Sequence, residues 1–399
     1  MNPAALELEQ AQARLLTLAE PLGIERLPVS EALGRCLAEP LLARRTQPPA
    51  DLSAMDGYAL RHADLPGPWR VIGESACGHP FGETVAQGEA VRIATGALMP
   101  EGTDTVLLQE QCRRDGDRLE LAEAPSSARH IRAAGMDFAA GQELLAEGTR
   151  LGPAQIALAL TGGHRLLAVR RRVRVAVLDT GDELAADPEQ CALHQIPASN
   201  GAMLAAMVAS WPCDVTHGAP VPDRLEALVA AFAGASNADL IVTSGGASVG
   251  DHDLLRPALE QWGAQIEFWR VAIKPGKPLL VASKGRTLVL GLPGNPVSSH
   301  VTAYLFLLPL IRALSGAAAM MPKKFEAVLT QDMPAASERR EFVRGRWDGA
   351  QVTPLRNQDS GALATLAASN VLIERPAGAA AIAAGGVVSA YLLENGGIA

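Results

Sequence analysis

Between residues 173 and about 315, short β-branched apolar runs alternate with longer helical patterns. Runs at 173–178, 214–217, 239–243, 278–282 and 287–290 read as strands. Stretches at 201–210, 223–234, 253–262 and 296–314 read as helices. Near-continuous apolar strands must be covered on both faces, and intervening helices supply that cover. This rhythm commits the region to a doubly wound, mostly parallel α/β sheet. In such sheets the loops at the carboxyl ends of the strands line the ligand crevice.

Three of those loops are unusual. After the run Leu240-Ile241-Val242 comes Thr243-Ser244-Gly245-Gly246-Ala247-Ser248-Val249-Gly250-Asp251-His252-Asp253. Adjacent glycines let the backbone turn sharply and approach a ligand. Hydroxyls and free N–H groups in such a turn form a concave nest for an anion, which gives Ser244, Gly245, Gly246, Ser248 and Gly250 a binding role. Asp251 and Asp253 then open a helix and are possible metal ligands. The second loop is Asp179-Thr180-Gly181-Asp182-Glu183, and the third is Gly291-Leu292-Pro293-Gly294-Asn295-Pro296-Val297-Ser298. In the third, Asn295 suits an N-cap and Pro296 the first helical turn. Between the last two loops, Lys274 and Lys277 stand on a stiff Lys-Pro-Gly-Lys-Pro frame.

Each signal has a plainer alternative. The Pro-Gly loop could be only a tight turn, the lysines surface charges, and Asp182 and Glu183 helix-start acids. Their concurrence at one edge of one sheet favours a site. Anion donors, lysines and the carboxylates Asp182, Glu183, Asp251 and Asp253 suit a phosphorylated substrate with a hard cation such as Mg²⁺. Zinc chemistry lacks its signature, since the eight histidines are scattered and form no His-Glu-x-x-His. Gly246-x-Ser248-x-Gly250 matches a hydrolase nucleophile elbow, with Asp253 and His300 as later partners. However, the strand is expected to end before Gly246, and His300 falls within a predicted helix.

A net charge of −8 argues against general nucleic-acid binding. The five cysteines (Cys36, Cys77, Cys112, Cys191, Cys213) form no C-x-x-C pair, which fits a reducing compartment without a disulfide framework. Met1–Gln12 has no basic n-region, and the apolar run Ala303–Ile311 is shorter than a membrane span. The expectation is a cytoplasmic protein that does not associate with membranes.

Outside the sheet region, residues 4–20 read as an amphipathic helix and 29–45 contain a second, shorter helical pattern. From about 51 to 145, runs at 69–72, 90–93, 105–108 and 118–121 mark a β-rich module. Residues 153–161 read as a helix with Pro at its first position. Arg170–Arg174 reads as a solvated strand entry. The tail, 323–399, returns to short β runs at 326–329, 341–343, 371–373 and 387–393.

Six ordered motifs then stand together: Ser53-Ala-Met-Asp-Gly-Tyr-Ala59, Thr180–Leu184, Ser199-Asn-Gly-Ala-Met-Leu204, Ser244–Gly250, Lys274–Pro278 and Gly291–Ser298. Together they resemble the molybdopterin molybdenumtransferases of the MoeA family, which is related to the E domain of gephyrin. The α/β part alone also resembles the MogA-like adenylyltransferase domain; motifs around Asp56 and Thr95 separate the two. The resemblance implies an elongated multidomain protein of α/β plus β class. Its parts would be an N-terminal domain (1–50 with 140–170), an inserted β-rich domain (51–139), a MogA-like α/β domain (171–320) and a barrel-like C-terminal β domain (321–399). The N-terminal helix would pair with the segment near 145–170. A homodimer is implied, its active site shared between the α/β domain of one subunit and the β-rich module of the other.

The implied reaction inserts molybdenum from molybdate into adenylylated molybdopterin, releasing AMP, with Mg²⁺ required. Asp56, Thr95, Glu183, Asp253, Lys274 and Lys277 are implied to be catalytic. Glu183, Asp251 and Asp253 are implied metal ligands. Asp137, Thr180, Asp182, Asp223, Arg344 and Ser360 join the nest and Pro293, Gly294, Asn295, Pro296 and Ser298 as substrate contacts. A molybdopterin adenylyltransferase is the implied substrate donor. Alternatives are adenylyltransferase activity itself or a non-enzymatic gephyrin-like scaffold. Scaffold forms carry a long linker and a second domain, and the start at a dimer-type helix favours a stand-alone enzyme.

Overall fold

The computed structural model describes residues 5–125, 129–246 and 254–393. The alternation at 173–315 produces a six-stranded sheet in the order Cys213–His217, Val173–Asp179, Leu240–Ser244, Thr287–Leu292, Leu280–Lys284, Gln265–Trp269. The first four strands are parallel and the last two join antiparallel. The Gln265–Trp269 strand escapes the sequence reading because Glu267 interrupts its apolar run.

Period-two alternation decides the faces of the sheet. Val173, Val175, Val177, Leu240, Val242, Leu288 and Leu290 point into one core, and Ala176, Ile241 and Val289 into the other. The first face is covered by helices α1 (Leu8–Thr17), α3 (Ser199–Val208) and α6 (Pro296–Leu314). The second is covered by α4 (Leu225–Gly234) and α5 (Leu255–Trp262), where Phe232 and Trp262 pack 5.5 Å apart. Helix α2, Pro153–Thr161, has Pro at its start as expected.

Helix α6 is longer than its apolar core run. Among the described residues it is the one helix long and apolar enough to cross a membrane, but 94% of that stretch is buried inside the protein. Pro309 lies within it and has no N–H to give the carbonyl four residues back, that of Leu305. The Ala303–Leu307 segment widens into a π turn there, as such irregularities do at broken ladders. Gln12 Nε2 of α1 donates to Leu305 O at 2.8 Å and fills the gap. Thus α1 docks on the α/β core rather than on the segment near 145–170. The chain just after it makes that second contact: Ile24–Pro28 pairs antiparallel with Leu166–Arg170. The helical pattern at 29–45 is also overturned. It yields a single 3₁₀ turn, Val29–Glu31, and the strand Leu41–Leu42, paired with Glu143–Leu145. Its apolar residues Val29, Ala32, Leu37 and Leu41 instead fill a small core with Leu151, Ala159, Leu167 and Val169.

The arginine run is pinned as well as solvated. Arg171 grips Asp239 through two bonds of 2.7 and 2.6 Å, and Arg172 reaches Asp214 at 2.6 Å. In the β-rich module, six strands run in the order Thr105–Leu108, Gly57–Leu60, Glu89–Ile93, Trp69–Ser75, Arg118–Leu121, Cys112–Asp115. In the tail, Lys324–Leu329, Arg340–Trp347, Gln351–Pro354, Val371–Arg375 and Val387–Leu392 close on themselves as a barrel.

Candidate active site

Strand register brings Asp179, Ser244 and Leu292 abreast at the carboxyl edge. Two backbone bonds continue the ladder into the loops: Thr180 N–H donates to Ser244 O (3.0 Å) and Gly245 N–H to Leu292 O (3.2 Å). Gly245 and Gly246 have φ of +101° and +64°, a region that side chains disfavour. A Cβ on Gly245 would also lie 2.4 Å from Thr180 O, so the turn requires glycine. Asn200 Nδ2 then bridges two loops, donating to Ser244 Oγ (2.8 Å) and Gly294 O (2.6 Å).

Asp182 and Asp223 lock their loops together. Asp223 N–H donates to Asp182 Oδ1 (3.1 Å), and Asp182 N–H to Asp223 Oδ2 (3.4 Å). Glu183 is exposed beside them. These carboxylates are the hard oxygen donors that a Mg²⁺ ion takes. Among the described residues no three acidic, His or Cys groups are close enough to hold a metal by themselves. Ser248, Gly250, Asp251 and Asp253 lie outside the described residues. The Leu240–Ser244 strand ends before Gly246, and His300 is buried in α6, as the case against a nucleophile elbow expects.

The lysine frame lies between two domains. Ile273–Lys274 pairs parallel with the barrel strand Arg340–Trp347, opposing Lys274 to Glu341. Lys274 Nζ donates to Glu341 Oε1 at 2.9 Å. Burial pushes the Glu341 carboxyl up, but hydrogen bonds from Ser337 and Lys274 outweigh it and hold the group below its ordinary value. Here a cleft of about 720 Å³ opens, lined by Lys274, Lys277, Ser298, Arg339, Arg356 and Ser360 among others. Pro296 takes the first helical position of α6 as expected. The Asn295 side chain does not cap the helix; its Nδ2 donates to Ser360 Oγ at 3.0 Å. Val297 N–H donates to Ser360 O at 3.1 Å, so Ser360 is fastened to the Pro293–Pro296 loop.

Arg344 is fully buried. Its guanidinium donates to the carbonyls of Asn357 (3.0 Å) and Asp359 (3.1 Å), and burial lowers its pKa. It therefore shapes the loop that carries Ser360 and does not itself reach the cleft surface.

Asp56 and Thr95 meet in the β-rich module. Asp56 comes just before Gly57 and Thr95 two residues after Ile93, and Gly57 and Ile93 are paired across neighbouring strands. Thr95 donates twice to Asp56 Oδ1, from N–H (2.6 Å) and from Oγ1 (2.8 Å). The Thr95 N–H bond, with the hydroxyl bond behind it, depresses the Asp56 pKa. Among the described residues, no hydrogen bond or ion pair joins this pair to the sheet-edge loops. Asp137 is exposed, and its backbone N–H bonds to Gln47 O at 3.1 Å.

Sequence reasoning did not single out Asn200, Arg339, Arg356 or Glu341. Asn200 sat in a quoted motif, next to a glycine at a helix start, and that was its available signal. The barrel residues belong to loose β runs without any.

The fold and edge define a class: a multidomain protein whose doubly wound α/β domain carries a loop-built, anion-suited edge against a β-barrel domain. Residues 6–163 match the MoeA N-terminal region (domain I and II), 176–313 a probable molybdopterin binding domain, and 326–393 the MoeA C-terminal region (domain IV). A Haemophilus influenzae protein named molybdopterin molybdenumtransferase is 38% identical over 346 residues, 85% of each chain. One of the same name from Nostoc is 35% identical, over 89% of this chain and 85% of that one. The crystal structure titled molybdopterin biosynthesis moea protein from Pyrococcus horikosii superposes with a TM-score of 0.82 at 28% identity, covering 99% of this chain and all of that one. The chain belongs to the molybdopterin molybdenumtransferase family, transferases of molybdenum cofactor biosynthesis.

Proposed function

We propose that this protein inserts molybdenum from molybdate into adenylylated molybdopterin, releasing AMP and forming the molybdenum cofactor. The observation that carries this reading is the cationic cleft lined by Lys274, Lys277, Arg339 and Ser360, beside the Pro293–Pro296 loop that Asn200 ties to the glycine turn and Asn295 ties to Ser360. The Gly245 N–H is given to Leu292 O, so the backbone N–H groups of the loop from Gly246 onward would face the phosphates of the pyrophosphate bridge. Lys274, Lys277, Arg339 and Ser360 supply the positive charge and hydrogen-bond donors that an oxyanion such as molybdate needs. Water attacks the AMP phosphorus and the bond to the bridging oxygen breaks, releasing AMP. The two dithiolene sulfurs then replace one oxo group of molybdate, which leaves as water with the two thiol protons, and the metal's oxidation state does not change.

For the protein the work is positioning and electrostatic stabilisation, as in other phosphoryl transfers. Glu183 and the acids after the glycine turn would hold Mg²⁺, which neutralises charge on the leaving AMP. Asp56 and Thr95 supply the second wall, from the partner subunit of a homodimer. Supporting that arrangement, no hydrogen bond or ion pair among the described residues joins the pair to the edge loops of its own chain. A molybdopterin adenylyltransferase would donate the substrate, and the cytoplasm is the expected compartment.

The test mixes the protein with adenylylated molybdopterin, Mg²⁺ and molybdate, and measures AMP. Molybdate-dependent AMP release is expected. Release independent of molybdate overturns the reading, and ATP consumption without molybdate would mark an adenylyltransferase.

A further inference from the structure

Asp179 opens the second loop yet has no part in the mechanism above. It is 1% exposed, at the end of the Val173–Asp179 strand. Its Oδ2 lies 2.9 Å from Nε2 of His217, the last residue of the neighbouring edge strand. Its Oδ1 is buried and has no partner among the described residues. A buried carboxylate with a bare oxygen is stable only beside a counter-charge. Among the described residues, His217 is the one basic group within ion-pair distance of it, and it supplies a counter-charge when its imidazole is protonated.

The first turn of α3 rests directly on this pair. A Cβ on Gly201 would come within 2.2 Å of both Asp179 Oδ2 and His217 Nε2, so α3 reaches its position only because residue 201 is glycine. The preceding residue is Asn200, whose amide bridges Ser244 and Gly294. The contacts form one chain: His217 on Asp179, the pair under Gly201, and Asn200 reaching from the same turn to two substrate loops.

We infer that Asp179 and His217 are positioning residues: an ion pair that seats the start of α3 and, through Asn200, sets the shape of the phosphate-binding turn. His217 is the hydrogen-bond partner and, when protonated, the counter-charge that lets Asp179 remain ionised and buried there. Without it, the uncompensated carboxylate draws water or pushes α3 outward, and Asn200 leaves its two acceptors. The defect falls on ground-state binding of the adenylylated substrate, since the strut touches the loops that grip phosphate.

The inference rests on the proposed function, and the experiment separates the two. Affinity for adenylylated molybdopterin is measured by calorimetry on the whole protein, alongside kcat for AMP release. Weaker binding by about tenfold is expected for His217→Gln, with kcat changed less than about twofold. Adding Asp179→Asn removes the uncompensated charge, so the double variant should recover most of that affinity. A role in fold stability alone would give no such recovery of binding. Asn200→Ala, which leaves the pair intact, should match the affinity loss of His217→Gln; it decides the matter should the histidine variant fail to fold. Wild-type affinity in either His217→Gln or Asn200→Ala overturns the inference, as does a double variant no better than His217→Gln. Failure of the unaltered protein to bind the compound would instead overturn the functional reading.

Discussion

The two walls assigned to the active site are braced in opposite ways. At the α/β edge, side chains tie neighbouring loops together: Asn200 on Ser244 and Gly294, Asp182 on the loop of Asp223, and Asn295 on Ser360. In the β-rich module, the side chain of Asp56 is held by Thr95, and Asp56 is exposed to solvent. The first wall is preorganised by its own chain. The second presents an ionised acid outward. Preorganised donors stabilise charge without rearrangement during the reaction, whereas an exposed acid depends on what closes over it.

Breaking either wall should have the largest effect. Asp56→Ala and Lys274→Ala are each expected to lower AMP release by about 100-fold or more. If the walls come from different subunits, mixing the two inactive variants should restore about a quarter of wild-type activity, because half of the dimers are mixed and one of their two sites is intact. No restoration after subunit exchange would place both walls in one chain. A smaller effect is expected from Ser360→Ala, which removes one hydroxyl contact on the barrel side. Saturation with molybdate should need about tenfold more of the anion, with little change in kcat. An unchanged molybdate dependence would remove the barrel loop from the site.

The smallest effect concerns pH. Glu341 has a depressed pKa in the folded protein, so its contribution is present above the unfolded value of about 4.3 and is lost as pH falls through the folded value. Glu341→Gln should therefore lower the melting temperature by about 1–3 °C at pH 7 and by less at pH 3. An equal difference at both values would show that Lys274 does not hold Glu341 ionised.

The α/β domain was legible because its strands obey a strict period of two and its loops are spelled in glycine, proline and acid. Val173, Val175 and Val177 against Ala176 already state which side of the sheet each faces. The helix expected at 29–45 failed for a physical reason: spacing of Val29, Ala32 and Leu37 suits a helix, but tertiary pairing with 143–170 spends those side chains on an irregular core. Arg344 shows another limit. The family resemblance implies a substrate contact for it, and no signal in the sequence shows that its side chain is buried and bonded to the loop of Ser360. Asp179 and His217 stood 38 residues apart in unrelated elements, and parallel strand pairing alone makes them neighbours.

Pro309 has a consequence for anyone who would cut this protein into pieces. The family boundary suggests a fragment beginning near residue 171, yet Gln12 is the group that satisfies the carbonyl freed in the longest buried helix. Such a fragment would expose the face that Leu8, Ala11 and Leu15 cover and would leave a dry acceptor bare. The smallest excisable unit of this domain is two stretches of chain, and a peptide spanning the first helix should bind the isolated remainder.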